Sequence, residues 1–436
     1  YDITSIMSLI PKVGRKKGTV DDIPIEDVAR VCCSHALATY QLWEYYKVNP
    51  SSLWWALDLP FLKLVMEMEQ VGVGIDPKEV SLQKGILEAE RDIILGRIHI
   101  PQKVLNSTKQ LRELLSNMGI EIKGKTKKGR VSVNEESLLE SREQSPELID
   151  NILKYREINK TLTTYIPAFE GQHRIHSDFG ITRTARLTSS EPNMQNLTRG
   201  PLRKIVKAAP GHILVVADYD QLEAKILGAM AKDKQMIDAY NSGKYDQHQE
   251  VADYITKLTG KVFSRYDAKQ LNFAMKYGGS VYLAMRMAGL TEEQGNQFME
   301  WLDNRFPIST EYKRKVIAKA KREGFITNYF GRKRQLPELR SASFKAREHG
   351  KKQAINSVIQ GTAADLVKIG MLNLKRYLGK QGKIILQVHD EVVVETKLEN
   401  KDKIIKLCQE CLSPLSINGA TFPVTVKSGP DWFNLL

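Results

Sequence analysis

Cysteine is scarce in this chain. Its four cysteines, Cys32, Cys33, Cys408 and Cys411, are too few for a disulfide framework in 436 residues. Cys408 and Cys411 have CxxC spacing, but they sit in an amphipathic helical stretch without a second ligand pair. All four therefore read as reduced, intracellular thiols. No run of roughly eighteen apolar residues occurs, which excludes a membrane-spanning helix. No GxxxxGK[ST] occurs either, since Thr259-Gly260-Lys261 lacks the upstream glycine, so a P-loop is excluded. There is no internal repeat and no long low-complexity tract. An initiating methionine and a signal-peptide pattern are also missing, and a chain that starts at Tyr1 is expected to be a fragment or processed product.

Apolar residues are plentiful. At 42% hydrophobic the chain can bury substantial cores, which excludes global disorder, and its length suggests two to four domains. Lys and Arg outnumber Asp and Glu by 65 to 51, a net charge of +14 with a pI near 9.3. That excess points to a polyanionic partner, most often nucleic acid, against the alternative of a basic solvated surface.

Residues 1 to about 20 are Gly/Lys-rich and read as irregular, and a helical pattern runs from Glu26 to Tyr46 before an aromatic linker at Leu53-Trp54-Trp55. From Pro60 a helix is expected up to Gly72-Val73-Gly74. Residues 78–165 read as mostly helical, with Asn106-Ser107-Thr108 capping a helix near Lys109. Within them Lys123 to Arg130 is a basic loop, suited either to a phosphate backbone or simply to water. Gly211 to Ala217 is a short β-branched run that reads as a buried strand delivering Asp218-Tyr219-Asp220, with a helix from Gln221 to Met230. The interval 233–335 reads as helical, and Lys383 to Val388 and Val392 to Glu395 read as a hairpin with an acidic tip, His389-Asp390-Glu391.

Arg265, Lys269, Phe273 and Tyr277 recur every four residues. On a helix each such step rises about 6 Å and drifts about 40°, so they form one slowly turning stripe of two cations, a ring and a phenol. Two cations so spaced suit adjoining phosphates and the ring suits a base or sugar, although a packed amphipathic helix with solvated cations has the same pattern. Asp218 at a strand end and Asp390 at a hairpin tip are candidate ligands for Mg²⁺, which favours hard oxygens; solvated turn residues are the alternative. His389, a lone histidine, is structural by default.

Three motifs in order now carry a resemblance. Asp218-Tyr-Asp-Gln-Leu-Glu223, Arg265 to Gly278, and Gln387-Val-His-Asp390-Glu391 resemble motifs A, B and C of family A DNA polymerases. Thr184 to Asn196 and Gln353 to Asp365 match further family segments, and the resemblance runs from about residue 30 to the C-terminus.

The resemblance implies an α+β right-hand polymerase fold with an antiparallel palm sheet, a helical thumb and helical fingers. The palm would comprise 61–76, 172–232 and 336–436, the thumb 77–171, and the fingers 233–335; 1–60 would be the C-terminal remnant of a 3′–5′ exonuclease-like domain. Asp218 and Asp390 would hold two Mg²⁺ ions (Mn²⁺ may substitute), with the Tyr219 carbonyl as a further ligand and Glu391 as a supporting carboxylate. Arg265, Lys269 and His248 would hold the incoming dNTP's phosphates, with Phe273, Tyr277 and Gln221 around the nucleotide and Glu223 crowding its 2′ position. Lys269 would protonate the leaving pyrophosphate. Arg186, Gln195, Asn196, Asn356, Gln360, His389 and Lys352 would contact primer–template DNA.

The implied activity is DNA-templated DNA synthesis by an intracellular monomer without a membrane, in a bacterial or phage-host cytoplasm or a DNA-bearing organelle. Its rivals are a single-subunit RNA polymerase, against which Glu223 argues, and a catalytically silent nucleic-acid-binding relative, against which Asp218, Lys269 and Asp390 argue. The chain departs from the family pattern at Asp220, where Ser is usual, at Lys225, where Arg is usual, and at Lys276 and Lys352. The segment after Asn196 is also shorter than in the bacterial repair enzymes. Phe273 in place of Tyr implies discrimination against dideoxynucleotides. Val31 and His35 stand where the exonuclease's last motif has Tyr and Asp, so proofreading by this chain is not expected.

Overall fold

A computed structural model describes residues 12–13, 16–17, 22–46, 51–122, 124, 131–197, 200–276, 280–413 and 415–435. They divide into two compact units, 1–58 and 59–436. In the smaller unit α1 (Ile25–Tyr46) is a single long helix whose first turn carries Glu26 and Asp27, a charge sign that suits the positive end of the helix dipole. The stretch expected to be irregular contains a short antiparallel pairing of Lys12–Val13 with Lys16–Lys17. Trp54–Asp58 form a π-helical turn rather than an open aromatic linker. Most of the basic loop from Lys123 to Arg130 lies outside the described residues.

The larger unit is built on one four-stranded antiparallel sheet. Its strands are β1 (His212–Tyr219), β4 (Gly382–Val388), β5 (Glu391–Lys397) and β6 (Val424–Gly429), in the order β4-β5-β1-β6. The intervening numbers belong to a separate hairpin, β2 (Phe325–Thr327) with β3 (Lys333–Gln335). Alternation along β1 sends Val215, Ala217 and Tyr219 to one face and Leu214, Val216 and Asp218 to the other.

Both faces are covered, as the near-continuous apolar runs of β1, β4 and β5 require. On the Tyr219 face pack α2 (Leu59–Val71) through Phe61, Leu64 and Met68, and α7 (Leu222–Ala231) through Leu222 and Ile226. The same face takes α14 (Phe344–Leu378) and α15 (Lys401–Leu412), the latter burying Cys408 and Leu412. On the Asp218 face lie Val80, Phe169, Ile205, Val206 and Trp432.

Two helical lobes have cores of their own. The first contains α3 (Pro77–Ile98), α4 (Thr108–Asn117), α5 (Glu135–Glu140) and α6 (Pro146–Lys160), centred on Leu111, Leu115, Ile149, Ile152 and Tyr155. Ser107 caps α4 by accepting from the Gln110 amide, the cap that its sequence announces. After α8 (Lys234–Asn241) the second lobe contains α9 (Gln247–Thr259), α10 (Arg265–Lys276), α11 (Val281–Ala288) and α12 (Glu292–Arg305). Its core joins Val251, Ile255, Ala268, Leu271 and Phe298, with Tyr254 stacked on Trp301 at 4.2 Å.

The helical run of 233–335 ends early. α13 (Pro307–Glu323) stops at Gly324, whose φ of 79° closes the helix, and the β2–β3 hairpin follows. Its turn is held by the Asn328 side chain, which accepts from the Phe330 and Arg332 amides. Among the described residues no helix is long and apolar enough to cross a membrane.

Candidate active site

The carboxylates converge through sheet register. Asp218 lies opposite Glu391 on β5 and opposite Thr425 on β6, so three strands bring their side chains to one end of one face. The β4–β5 turn is His389-Asp390, with His389 in the left-handed region at φ 53°. The Tyr219 amide donates to the Asp390 carbonyl at 3.2 Å and so fastens the acidic tip beside Asp218. Asp218 and Asp390 are half-buried, whereas Glu391 is buried and accepts from Arg203 at 3.2 Å. Arg203 is buried too, and its guanidinium lies 3.6 Å from the centre of the Trp432 ring. The Tyr219 ring turns to the opposite face, where its hydroxyl donates to the Leu412 carbonyl at 2.5 Å and burial pushes the phenol pKa up. Only the backbone of Tyr219 is thus left at the carboxylate end.

Beside this tip a cleft is lined by Arg186, Gln195, Lys368, Gln387, His389 and Asp390. The Gln195 amide donates to the Gln387 carbonyl at 3.2 Å, and the Gln387 amide donates to the His389 carbonyl. Gln195 therefore braces the strand that ends at Asp390. Gln221 adopts φ 49° at the start of α7 and turns Glu223 inward, where it is buried against Arg186 in an ion pair. Asn196 is exposed, its backbone tied to Asn193. Gln360 is buried on α14, with half-buried Asn356 and exposed Lys352 at successive four-residue steps before it. Of the four departures noted in the sequence, two meet: Lys225, only 2% exposed, lies 3.6 Å from Asp220.

On α10 the packed face is Ala268, Leu271 and Asn272, while Arg265 is exposed and Lys269 half-buried. Arg265 donates to Asp246 at 2.6 Å. Burial alone would raise the Asp246 pKa, but Arg265 and the Gln249 and His248 amides hold it below the usual carboxylate range. Asp246 also caps α9, whose His248 contacts the Asn272 side chain at 3.0 Å and is thereby fastened to α10. Lys269 is half-buried, and among the described residues no carboxylate lies within 4.0 Å of its amine. The side chains of Phe273 and Lys276, and Tyr277 as a whole, lie outside the described residues.

The sequence did not single out Arg203, Trp432, Thr425, Lys427 or Lys368. Thr425 and Lys427 line the hollow that contains Asp218, Asp220 and Glu391. The alternation of β6 beside Trp432 was the available signal for them. Nothing local marks Arg203, whose carboxylate partner is 188 residues away.

A four-stranded antiparallel sheet with strand-end carboxylates, flanked by separate helical lobes, is the architecture of a template-copying polymerase. The chain belongs to DNA polymerase family A, whose profile matches residues 79–434. It is 31% identical over 419 residues to the thermostable DNA polymerase I of Thermus aquaticus, covering 90% of this chain and 50% of that protein. It is 30% identical over 450 residues to DNA polymerase I of Pseudomonas aeruginosa, covering 95% and 48%. The chain thus spans about half the length of the curated relatives it matches. Among solved structures it resembles the POL domain of Pol1 from M. smegmatis in complex with DNA primer–template and dNTP. That likeness has a TM-score of 0.81 and 26% identity, covering 94% of this chain and 76% of that one. The family uses divalent metal ions.

Proposed function

We propose that this chain is a DNA-templated DNA polymerase that extends a primer 3′-hydroxyl with dNTPs. The observation that carries the reading is the register of Asp218 against Glu391 with Asp390 fastened beside them, in a chain of this family. In this reading 61–76, 172–232 and 336–436 act as palm, 77–171 as thumb, 233–335 as fingers and 1–60 as an exonuclease-like remnant. The protein works as a monomer in a DNA-containing compartment of the cell.

The donor set suits Mg²⁺. Among the described residues no group of three His, Cys, Asp or Glu side chains is poised to cage a metal. Mg²⁺ needs no such cage, because it keeps waters and takes substrate phosphates beside one or two carboxylates. Asp218, Asp390 and the Tyr219 carbonyl would hold it, with Mn²⁺ as a substitute. Two such ions would stabilise the attacking and leaving oxygens of the displacement.

The remaining work belongs to side chains. Lys269, with no carboxylate within 4.0 Å of its amine among the described residues, binds the triphosphate and supplies a proton to the departing pyrophosphate. Arg265 exchanges Asp246 for phosphate when the nucleotide arrives, and His248 stands one helix away. Phe273, Tyr277 and Gln221 surround the nucleotide. Glu223, held rigid by Arg186, excludes a 2′-hydroxyl by shape. Arg186, Gln195, Asn196, Asn356, Gln360, His389 and Lys352 face primer–template DNA, and Gln195 and His389 also set the position of the Asp390 tip.

Primer extension tests this directly. Wild-type protein should extend a DNA primer with dNTPs and hardly at all with rNTPs. Asp390→Ala should abolish extension while primer–template binding stays nearly intact; retained extension would refute the role given to Asp390.

A further inference from the structure

The two helical lobes stand on the sheet by different roots. The α3–α6 lobe reaches it through Val80 of α3, which packs with Val206 and Val216 on the Asp218 face. The α9–α12 lobe leans on α13, and α13 packs on α7 and α14, which cover the Tyr219 face. Among the described residues the cores of the lobes share no residue, and no helix of one packs broadly on a helix of the other. Yet the lobes meet. Arg286, in the last turn of α11, donates to Glu140, the last residue of α5, at 3.1 Å.

The pair is partly exposed to solvent. The Arg286 and Glu140 side chains are 30% and 26% exposed, against 81% and 59% for Lys109 and Glu113 on the surface of α4. It also completes a circuit that runs from the sheet through the first lobe, across the ion pair and back through the second lobe. We infer that Arg286 and Glu140 form a latch that closes the two lobes into a ring around bound primer–template. The inference rests on the polymerase reading above. DNA threaded through such a ring leaves by sliding off an end or by parting the pair, so the latch acts on how long DNA is retained rather than on the chemical step.

Charge makes the test decisive. Glu140 is a negative group on a protein that binds a polyanion, so simple long-range attraction predicts that replacing it with a cation slows DNA release. The latch predicts the opposite. A part-exposed ion pair shifts an equilibrium by about 1.5- to 5-fold, and that sets the scale.

The experiment uses the full chain with labelled primer–template and an excess of unlabelled competitor, at about 50 mM salt where a surface pair is weakly screened. Glu140→Arg should release DNA about 2- to 5-fold faster despite its added positive charge. Arg286→Glu should do the same, and the double variant, which exchanges the two charges, should return to the wild-type rate. Glu140→Gln, which preserves side-chain shape, guards against a folding artefact and should show part of the loss. Slower release by Glu140→Arg, or no recovery in the double variant, overturns the latch. Nucleotide addition in a single turnover at saturating DNA should stay unchanged in Glu140→Arg. A wild-type chain that binds DNA but never extends it would sink the polymerase reading and leave the release assay readable.

Discussion

Arg203 shows how one cation can organise an acidic site from behind. It sits between the Glu391 carboxylate and the Trp432 ring, so both its charge and its plane are used. Replacing it with Met keeps much of the volume but removes the cation that faces a buried carboxylate. Arg203→Met should therefore cost about 3–5 kcal/mol of stability, measured as a lowered urea midpoint. A loss under about 1 kcal/mol would show that Glu391 has other sufficient partners. Asp246 offers a different kind of test. Its folded-state pKa is depressed, so its stabilising effect is fully present above the unfolded value near 4 and fades as pH falls through the lower folded value. The melting-temperature gap between wild type and Asp246→Asn should hold constant from about pH 5 to 8 and close only in stronger acid. A gap that varied across neutral pH would mean that another group is being read.

At the scale of elements, α14 comes close to Tyr219 of the sheet and to Leu412 at Gly370. A Cβ added at Gly370 would lie 2.6 Å from the Tyr219 hydroxyl and 3.2 Å from the Leu412 backbone. Alanine is otherwise the better helix former by about 1 kcal/mol, but neither neighbour can retreat, because they are hydrogen-bonded to each other. Overpacking should win, and Gly370→Ala should destabilise by about 1–3 kcal/mol. Gly85, in the middle of α3 with nothing within 4 Å of its virtual Cβ, is the control. Gly85→Ala should stabilise by about 0.5–1 kcal/mol, so the two substitutions should move the denaturant midpoint in opposite directions.

The same elements mark what could be read from the chain. The β-branched run of β1, the four-residue spacing on α10 and the acidic tip after β4 were legible because their signals are local. The β2–β3 hairpin was not, because Lys333-Arg334-Gln335 is too polar to show a strand's alternation. The Arg186–Glu223 and Lys225–Asp220 pairs were hidden as well. Each residue was visible, but pairing is a property of the fold, and Arg186 is 37 residues from its partner.

At the scale of the whole molecule the cysteines report on the two units separately. Cys32 and Cys33 are exposed on α1, while Cys408 and Cys411 are buried in α15. Burial, with Cys411 nearby, pushes the Cys408 thiol up to about 12, so it is neither accessible nor ionised near neutrality. At pH 8 a thiol reagent should label two cysteines quickly and the other two only when urea unfolds the larger unit. Fast labelling of all four would contradict the packing of α15 against the sheet.

The alternation of β1 has one more consequence. Asp218 and Tyr219 are neighbours in sequence but serve opposite faces, one at the carboxylate cluster and the other in hydrocarbon beside Leu412. The strand therefore carries a parity, odd positions for one layer and even positions for the other. Substitutions within β1 change what a layer contains, whereas inserting or deleting one residue exchanges the layers, sending the carboxylate into the core and the phenol into the site. Evolution could vary nearly every letter of this strand more easily than it could change its length by one.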